Sequence, residues 1–321
     1  MSFVRVKANR TITDDEKRNL LPKQRNEYVE PTDRGSLLQF NSTYTEYIDP
    51  AFIYRGSLGS LAGIFGMLIG LGMFGVFGYW MATDGADFVL QVINLLAIAF
   101  GLAVFFMFFW LAVKNDFFTY TAYPVRFNRK NRKIYVFRPA KEGGVQVFSW
   151  DEVSFFINKT KNHPHRHLIG HVMDGDFIKF SFVVGMAHVE DEVIKEIWEF
   201  IYRYMEEGPK KVNPKYILLT IKPSWLSHYR LSFLRFGLPV GAFLIGQIIL
   251  LPLIGPLIAL RWLILKTCKT PTWPDWVKQE CNTVENDPYN LPEPAYIMQP
   301  LYDDPEHFAE VSQGIKNRRK R

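Results

Sequence analysis

Cysteine is almost missing from this chain: Cys268 and Cys281 are the only two in 321 residues. Two cysteines so placed cannot form a disulfide framework or the usual zinc ribbon. The chain also contains no G-x-S-x-G, P-loop, H-E-x-x-H or EF-hand pattern. No enzyme or cation-binding class with a short local signature is therefore indicated. Charge is missing from three long stretches, residues 58–80, 88–113 and 236–260. The linker 81–87, "MATDGAD", lacks Lys and Arg and holds two Asp.

What is present is strongly segregated. Hydrophobic residues make up 48% of the chain, aromatics 16% and charged residues 22%, with a formal net charge of +6. A bilayer core about 30 Å thick needs roughly 20 apolar helical residues. Both 58–80 and 88–113 meet that length, so each is expected to cross a membrane. The first begins after 57 hydrophilic residues and has no short apolar core with a cleavage site, which argues against a signal peptide.

Orientation follows from the flanks. Nine Lys or Arg precede the first run, and twenty lie in 114–235. Positive flanks stay inside. The N-terminus and the segment after residue 113 are thus expected in the cytoplasm of a multi-pass inner-membrane protein. Tyr79, Trp80, Phe109 and Trp110 suit an interfacial aromatic belt. The third run, "FGLPVGAFLIGQIILLPLIGPLIAL", is interrupted by Pro239, Pro252 and Pro256, and proline kinks or breaks a helix. Basic residues stand on both sides of it. A broken hairpin that dips in and returns keeps them inside and is favoured over a third crossing helix.

Period-two alternation dominates 114–221. "FTYTAYPVRF" and "KIYVFR" surround "NRKN", and "HLIGHVM" and "FIKFSFVV" surround "DGD", both hairpin patterns. A bend is expected at Trp150-Asp151, and a further short strand at 215–221. "VEDEVIKEIWEFIYRYMEEGP" changes the period to about 3.6, with Val189, Val193, Ile197, Ile201 and Tyr204 on one stripe, widened by Trp198 and Phe200. Acids open this predicted helix and Gly208-Pro209 stops it.

The expected fold is an α+β membrane protein. A cytoplasmic arm (1–57) leads into a transmembrane helical hairpin (58–113). An antiparallel β domain closed by one helix follows (114–222), then the proline-broken hydrophobic segment (223–268) and a polar tail (269–321).

Arg126 with Phe127, Tyr135-Val136-Phe137 and Trp150-Asp151, set after a membrane hairpin, carry a resemblance. Over roughly residues 35–265 the chain resembles bacterial pleckstrin-homology-like membrane proteins. It is similar in layout to a family of bacterial inner-membrane proteins encoded near type VI secretion effectors. That resemblance implies a pleckstrin-like cytoplasmic domain and an immunity role without catalysis. The implied partner is a secreted effector, bound directly; the alternatives are a membrane-inserting effector or its loading partner, and a membrane scaffold or sensor.

Three groups of residues stand out. Arg126, Arg129, Lys130, Arg132 and Lys133 crowd one turn close after the second helix. Cations there attract anionic lipid, so a turn at the membrane surface is expected. Nucleic acid is not expected, since the segment balances twenty Lys or Arg with thirteen Asp or Glu and has no reading motif. Gly59, Gly63, Gly66 and Gly70 form a stripe on the first helix, facing Asn94, Ala97, Gly101 and Val104 on the second. Small residues at that spacing let helices approach closely in lipid, within the hairpin or against another membrane protein. Gly72, Gly75 and Gly78 offer a second such face. His163, His165, His167 and His171 are read as a polar loop, so no metal and no cofactor is expected. Homo-oligomerisation stays open.

Overall fold

A computed structural model describes residues 7–56, 58–83, 87–159, 164–212, 214–222, 227, 255, 259–304 and 306. The chain divides into two compact units. One is built on Tyr54–Thr119, and the other on the chain before that stretch and much of the chain after it. Most of the proline-broken run 236–260 lies outside the described residues, so neither the broken hairpin nor the third crossing is addressed.

The arm is not a loose leader. It supplies β1 (Arg10–Thr11), the short helix α1 (Asp14–Arg18), β2 (Leu20–Leu21), β3 (Leu37–Phe40) and β4 (Tyr44–Tyr47). The arm thus contributes strands to both sheets of the β domain, up to the change of unit between Ile53 and Tyr54. Thr13 caps α1 with a capping box to Glu16, so two backbone donors at its start are satisfied reciprocally.

After β4 come α2 (Ala51–Tyr54) and two long helices, α3 (Leu58–Thr83) and α4 (Phe88–Asn115). The β domain then resumes with β5 (Val125–Asn128), β6 (Lys133–Val136) and β7 (Gln146–Ser149). Strands β3 to β7 make one five-stranded antiparallel sheet in sequence order. β4 and β5 are direct neighbours, with Tyr44 opposite Asn128 and Tyr47 opposite Val125. Residues 48–124, α3 and α4 included, are thus one very long connection within a meander. The β5–β6 turn is held by Asn128, whose Oδ1 accepts from the backbone N–H groups of Lys130 and Asn131.

The chain bends at Trp150 and enters the second sheet through β8 (Val153–Lys159), β9 (Arg166–Asp174) and β10 (Phe177–His188). Its order is β1-β10-β9-β8-β2, so arm strands edge both sides. The Asp-Gly turn between β9 and β10 forms as its sequence suggests, with Gly175 at φ +58°, a conformation that costs glycine little.

Helix α5 (Asp191–Glu206) closes the domain. Ile194, Ile197, Trp198, Phe200, Ile201, Tyr204 and Met205 are its buried apolar face. Val189, expected on that stripe, lies outside the helix and is exposed. One core joins both sheets and the helix: Tyr47, Phe127 and Ile134 from the first sheet, Phe155, Leu168 and Phe182 from the second. Trp150 stacks on Trp198 at 5.8 Å between ring centroids and donates its indole N–H to Glu206 at 2.7 Å.

The tail also belongs to the β domain. Trp273, just before α6 (Asp275–Glu280), Val277 within it and Cys281 after it join Tyr44, Tyr135 and Phe137 in a second cluster. The expected strand at 215–221 does not form a ladder. Its alternation is used for burial instead: Ile217 and Leu219 point into two clusters, and Leu218 O accepts from Met298 N, just before α7 (Gln299–Asp303).

The arm covers the outer face of the second sheet. Ile12 packs with Phe156 and Ile178. Beside them His171 is buried, its Nδ1 2.8 Å from Ser181 Oγ and its Nε2 3.7 Å from Glu16. Burial pushes the Glu16 carboxyl up, but bonds from Arg10 and Thr13 outweigh it and bring the group to about 2. Burial pulls the His171 ring down to about 4, against the attraction of Glu16. An unfolded histidine titrates near 6.5, so below that pH the unfolded chain takes up a proton that the folded chain refuses. The stabilising contribution is complete above pH 6.5 and is lost as pH falls toward 4, by up to about 1 kcal/mol per unit. His171→Gln should therefore flatten the fall in thermal stability between pH 7 and 4.5 in detergent. An unchanged slope in the variant would refute this account.

Candidate functional site: a membrane hairpin and a buried charge pair

Two stretches, Phe65–Thr83 in α3 and Phe88–Leu111 in α4, are long and apolar enough to cross a membrane. Their outward side chains are large and apolar, with Phe65 66% and Phe100 61% exposed. A contiguous apolar surface of this kind is unfavourable in water, and lipid would solvate it.

The first glycine stripe lies between the two helices. A Cβ at Gly66 would collide with the Phe108 ring, and one at Gly70 would sit 2.6 Å from Gly101 O. Gly101 in turn approaches Met73 and Gly70 O. Gly63 is buried, Ala97 and Val104 are half-buried, and Asn94 is 5% exposed within the pair. The surroundings of Gly59 lie outside the described residues. These residues are the hairpin's internal contact. Gly72, Gly75 and Gly78 differ, since a Cβ at any of them meets nothing within 4 Å.

The basic turn is tied largely into the domain. Arg126 is buried, directly opposite Glu46 in the β4–β5 register. Its Nε and Nη2 donate to Glu46 Oε2 at 2.9 and 2.6 Å. The guanidinium lies over the rings of Tyr44 and Trp273, at 4.0 and 4.8 Å, and Trp273 donates its indole N–H to the same carboxylate oxygen at 3.0 Å. Burial works against the charged guanidinium, but Glu46 more than offsets it and raises the pKa. Arg132 pairs with Asp151 and Glu206, and Lys133 with Glu280. Arg129 is half-buried; only Lys130 of the five is exposed. Three of the five cations expected at a membrane surface, Arg126, Arg132 and Lys133, are engaged by acids of the domain, two of which, Glu46 and Glu280, come from the arm and the tail.

The histidines do not converge. His171 is the buried residue described above, while His165 and His167 are half-buried. His163 lies outside the described residues. Among the described residues no group of three or more His, Cys, Asp or Glu could hold a metal ion.

Sequence reasoning missed Glu46 and Trp273. Glu46 carried a signal: it is the charged residue in the otherwise aromatic and hydroxylated strand "YTEY", and a charge there needs a counter-ion.

Fold and geometry define a mixed α+β chain with a pair of membrane-length helices set into a β meander. The chain belongs to a family of unknown function, DUF6708, which matches residues 102–285. No curated protein matches it, and no solved structure does.

Two outcomes follow from these contacts. Arg126→Met leaves Glu46 buried without its partner and should cost about 3–5 kcal/mol, while Glu46→Leu/Arg126→Met should recover most of that; denaturant unfolding of the three variants checks it. Gly66→Leu and Gly70→Leu should each cost roughly 1–3 kcal/mol or more through overpacking and sharply lower the amount of chain in the membrane fraction. Gly72→Leu should leave that amount unchanged.

Proposed function

We propose that this chain is a non-enzymatic immunity protein of a bacterial inner membrane. It neutralises a type VI secretion effector by binding it directly. The observation that carries the reading is the division of the α3 glycines. Gly66 and Gly70 are consumed by the hairpin, while Gly72, Gly75 and Gly78 remain open to close approach by another helix. A membrane-embedded segment of an effector is the partner this face suits.

The β domain supports the same reading. Setting aside the arm strands β1 to β3, four antiparallel strands (β4 to β7), three more (β8 to β10) and a closing helix follow one another, the order of a pleckstrin-like domain. The charge asymmetry of the loops supports a cytoplasmic position for this domain and the far side for residues 81–87. Anionic lipid is a further partner at the cytoplasmic face.

Expression tests the proposal. The chain alone should leave growth unaffected, and it should rescue cells expressing the effector encoded beside its gene. The triple variant Gly72→Leu/Gly75→Leu/Gly78→Leu should accumulate normally yet lose the rescue. Growth arrest by the chain alone would favour a membrane-inserting effector instead, and rescue by the triple variant would remove the helix face from the reading.

A further inference from the structure

Residues 20–34 run from the edge of β8 onto α5, and backbone groups carry many of their contacts. β2 adds to the edge of β8 through two residues only, Leu20 opposite Phe156 and Leu21 opposite Phe155. Beyond them the chain is gripped largely by its backbone. Trp198 donates its indole N–H to Pro22 O at 3.1 Å. Asn26 N donates to both Glu199 carboxylate oxygens at 3.2 Å. Arg203 donates to Asn26 O at 2.9 Å and to Val29 O at 3.1 Å. Thr32 N donates to Glu196 O.

Glu199 and Arg203 are themselves paired at 2.6 Å and nearly buried. Such a pair adds little to stability compared with apolar packing. Its free lone pairs and N–H groups are, however, well suited to receive the N–H and C=O groups of an extended chain. Any extended segment presents those groups, whatever its side chains. Three side chains anchor the segment: Leu21 enters the core, Asp33 at its far end is bonded by the backbone N–H groups of Gly35, Ser36 and Leu37, and Lys23 lies over the Trp150 ring. The cations also meet carbonyl or carboxylate groups. Lys23 reaches Trp150 O, Arg25 pairs with Glu207, and Arg34 pairs with Glu196. Tyr28 is 99% exposed. The segment ends at Arg34 and Gly35, with φ of +52° and +66°, a sharp turn that separates it from β3.

We infer that the edge of β8, with Trp198, Glu199 and Arg203 of α5 beside it, is a strand-acceptor site for an extended, basic segment of a partner protein, and that residues 20–34 occupy it as a displaceable strap. The partner adds to the edge of β8 where β2 lies, a known mode of peptide recognition. It offers its backbone to Trp198, Glu199 and Arg203, and its cations meet Glu196 and Glu207. The two-residue pairing of β2 and the partly exposed Arg25–Glu207 pair make the strap a region that opens without unfolding the domain. This inference concerns the β domain and stands apart from the role given to the α3 glycines.

The test uses the full-length chain in detergent and a labelled synthetic peptide of residues 18–34 as the extended basic segment. Leu20→Cys/Phe156→Cys locks the strap when oxidised. These positions face each other in a non-hydrogen-bonded pair, since Ile157 N bonds Asn19 O at the adjacent one, and their closeness suits a disulfide. The reduced variant should bind the peptide at least about tenfold more tightly than the oxidised one, as the locked edge of β8 is closed to strand addition. Hydrogen exchange on the unsubstituted chain gives a second reading. The Leu21 and Asn26 amides should exchange at least about a hundredfold faster than those of Leu168 and Ile169 in β9, as expected of sub-global opening. Equal binding by oxidised and reduced forms, or none by the reduced form, overturns the inference. So does exchange of Leu21 and Asn26 in step with β9. A dimer formed by exchange of arms between two copies would make a second chain, not a different protein, the occupant and overturn the assignment of the partner.

Discussion

The Glu46–Arg126 pair is the contact on which the first sheet depends. Its members come from strands that are neighbours in space but lie on either side of two membrane-length helices. Backbone ladders alone do not specify register strongly, because a slip of one residue preserves many hydrogen bonds while turning every side chain over. Here a slip would set a buried carboxylate and a buried guanidinium against apolar neighbours. The two charges can be buried together, and neither can be buried alone. Trp273 and Tyr44 complete the enclosure, so the tail after residue 270 is tied to the same point. Three segments remote in sequence thus converge on one ion pair.

Features set by local pattern were legible in the sequence. The first two uncharged runs became α3 and α4, the 3.6-residue period became α5, and the "DGD" and "NRKN" turns formed where expected. Each rests on residues within one or two turns of chain. The arm and the tail were illegible for the opposite reason. β1 and β2 are two residues each, too short to show a period, and they exist only because β10 and β8 offer edges to pair with. The strand reading of 215–221 shows the converse: alternation reports burial on one side and does not ensure a ladder.

The ion pairs of the basic turn were not legible in the sequence. Five cations in eight residues look like an exposed patch when only their neighbours in sequence are considered. Their partners are Glu46, Asp151, Glu206 and Glu280, three of them at least 70 residues away. The glycine stripe fared differently. Its spacing identified the close-packed face correctly, because helix geometry fixes which residues share a side, and the collisions at Gly66 and Gly70 are its direct expression.

The placement of the helices within the β4–β5 connection bears on how the protein is made. β1 to β4 leave the ribosome well before β5, the partner of β4, and before β8 and β10, the partners of β2 and β1. At roughly 5–20 residues per second, the intervening chain takes several seconds to synthesise. During that interval the early strands have open edges and no core, a state prone to mispairing. Glu46 waits there still hydrated, and only the arrival of Arg126 allows it to be withdrawn from water. Maturation of the β domain is therefore a late event in biogenesis, following the synthesis of both apolar helices.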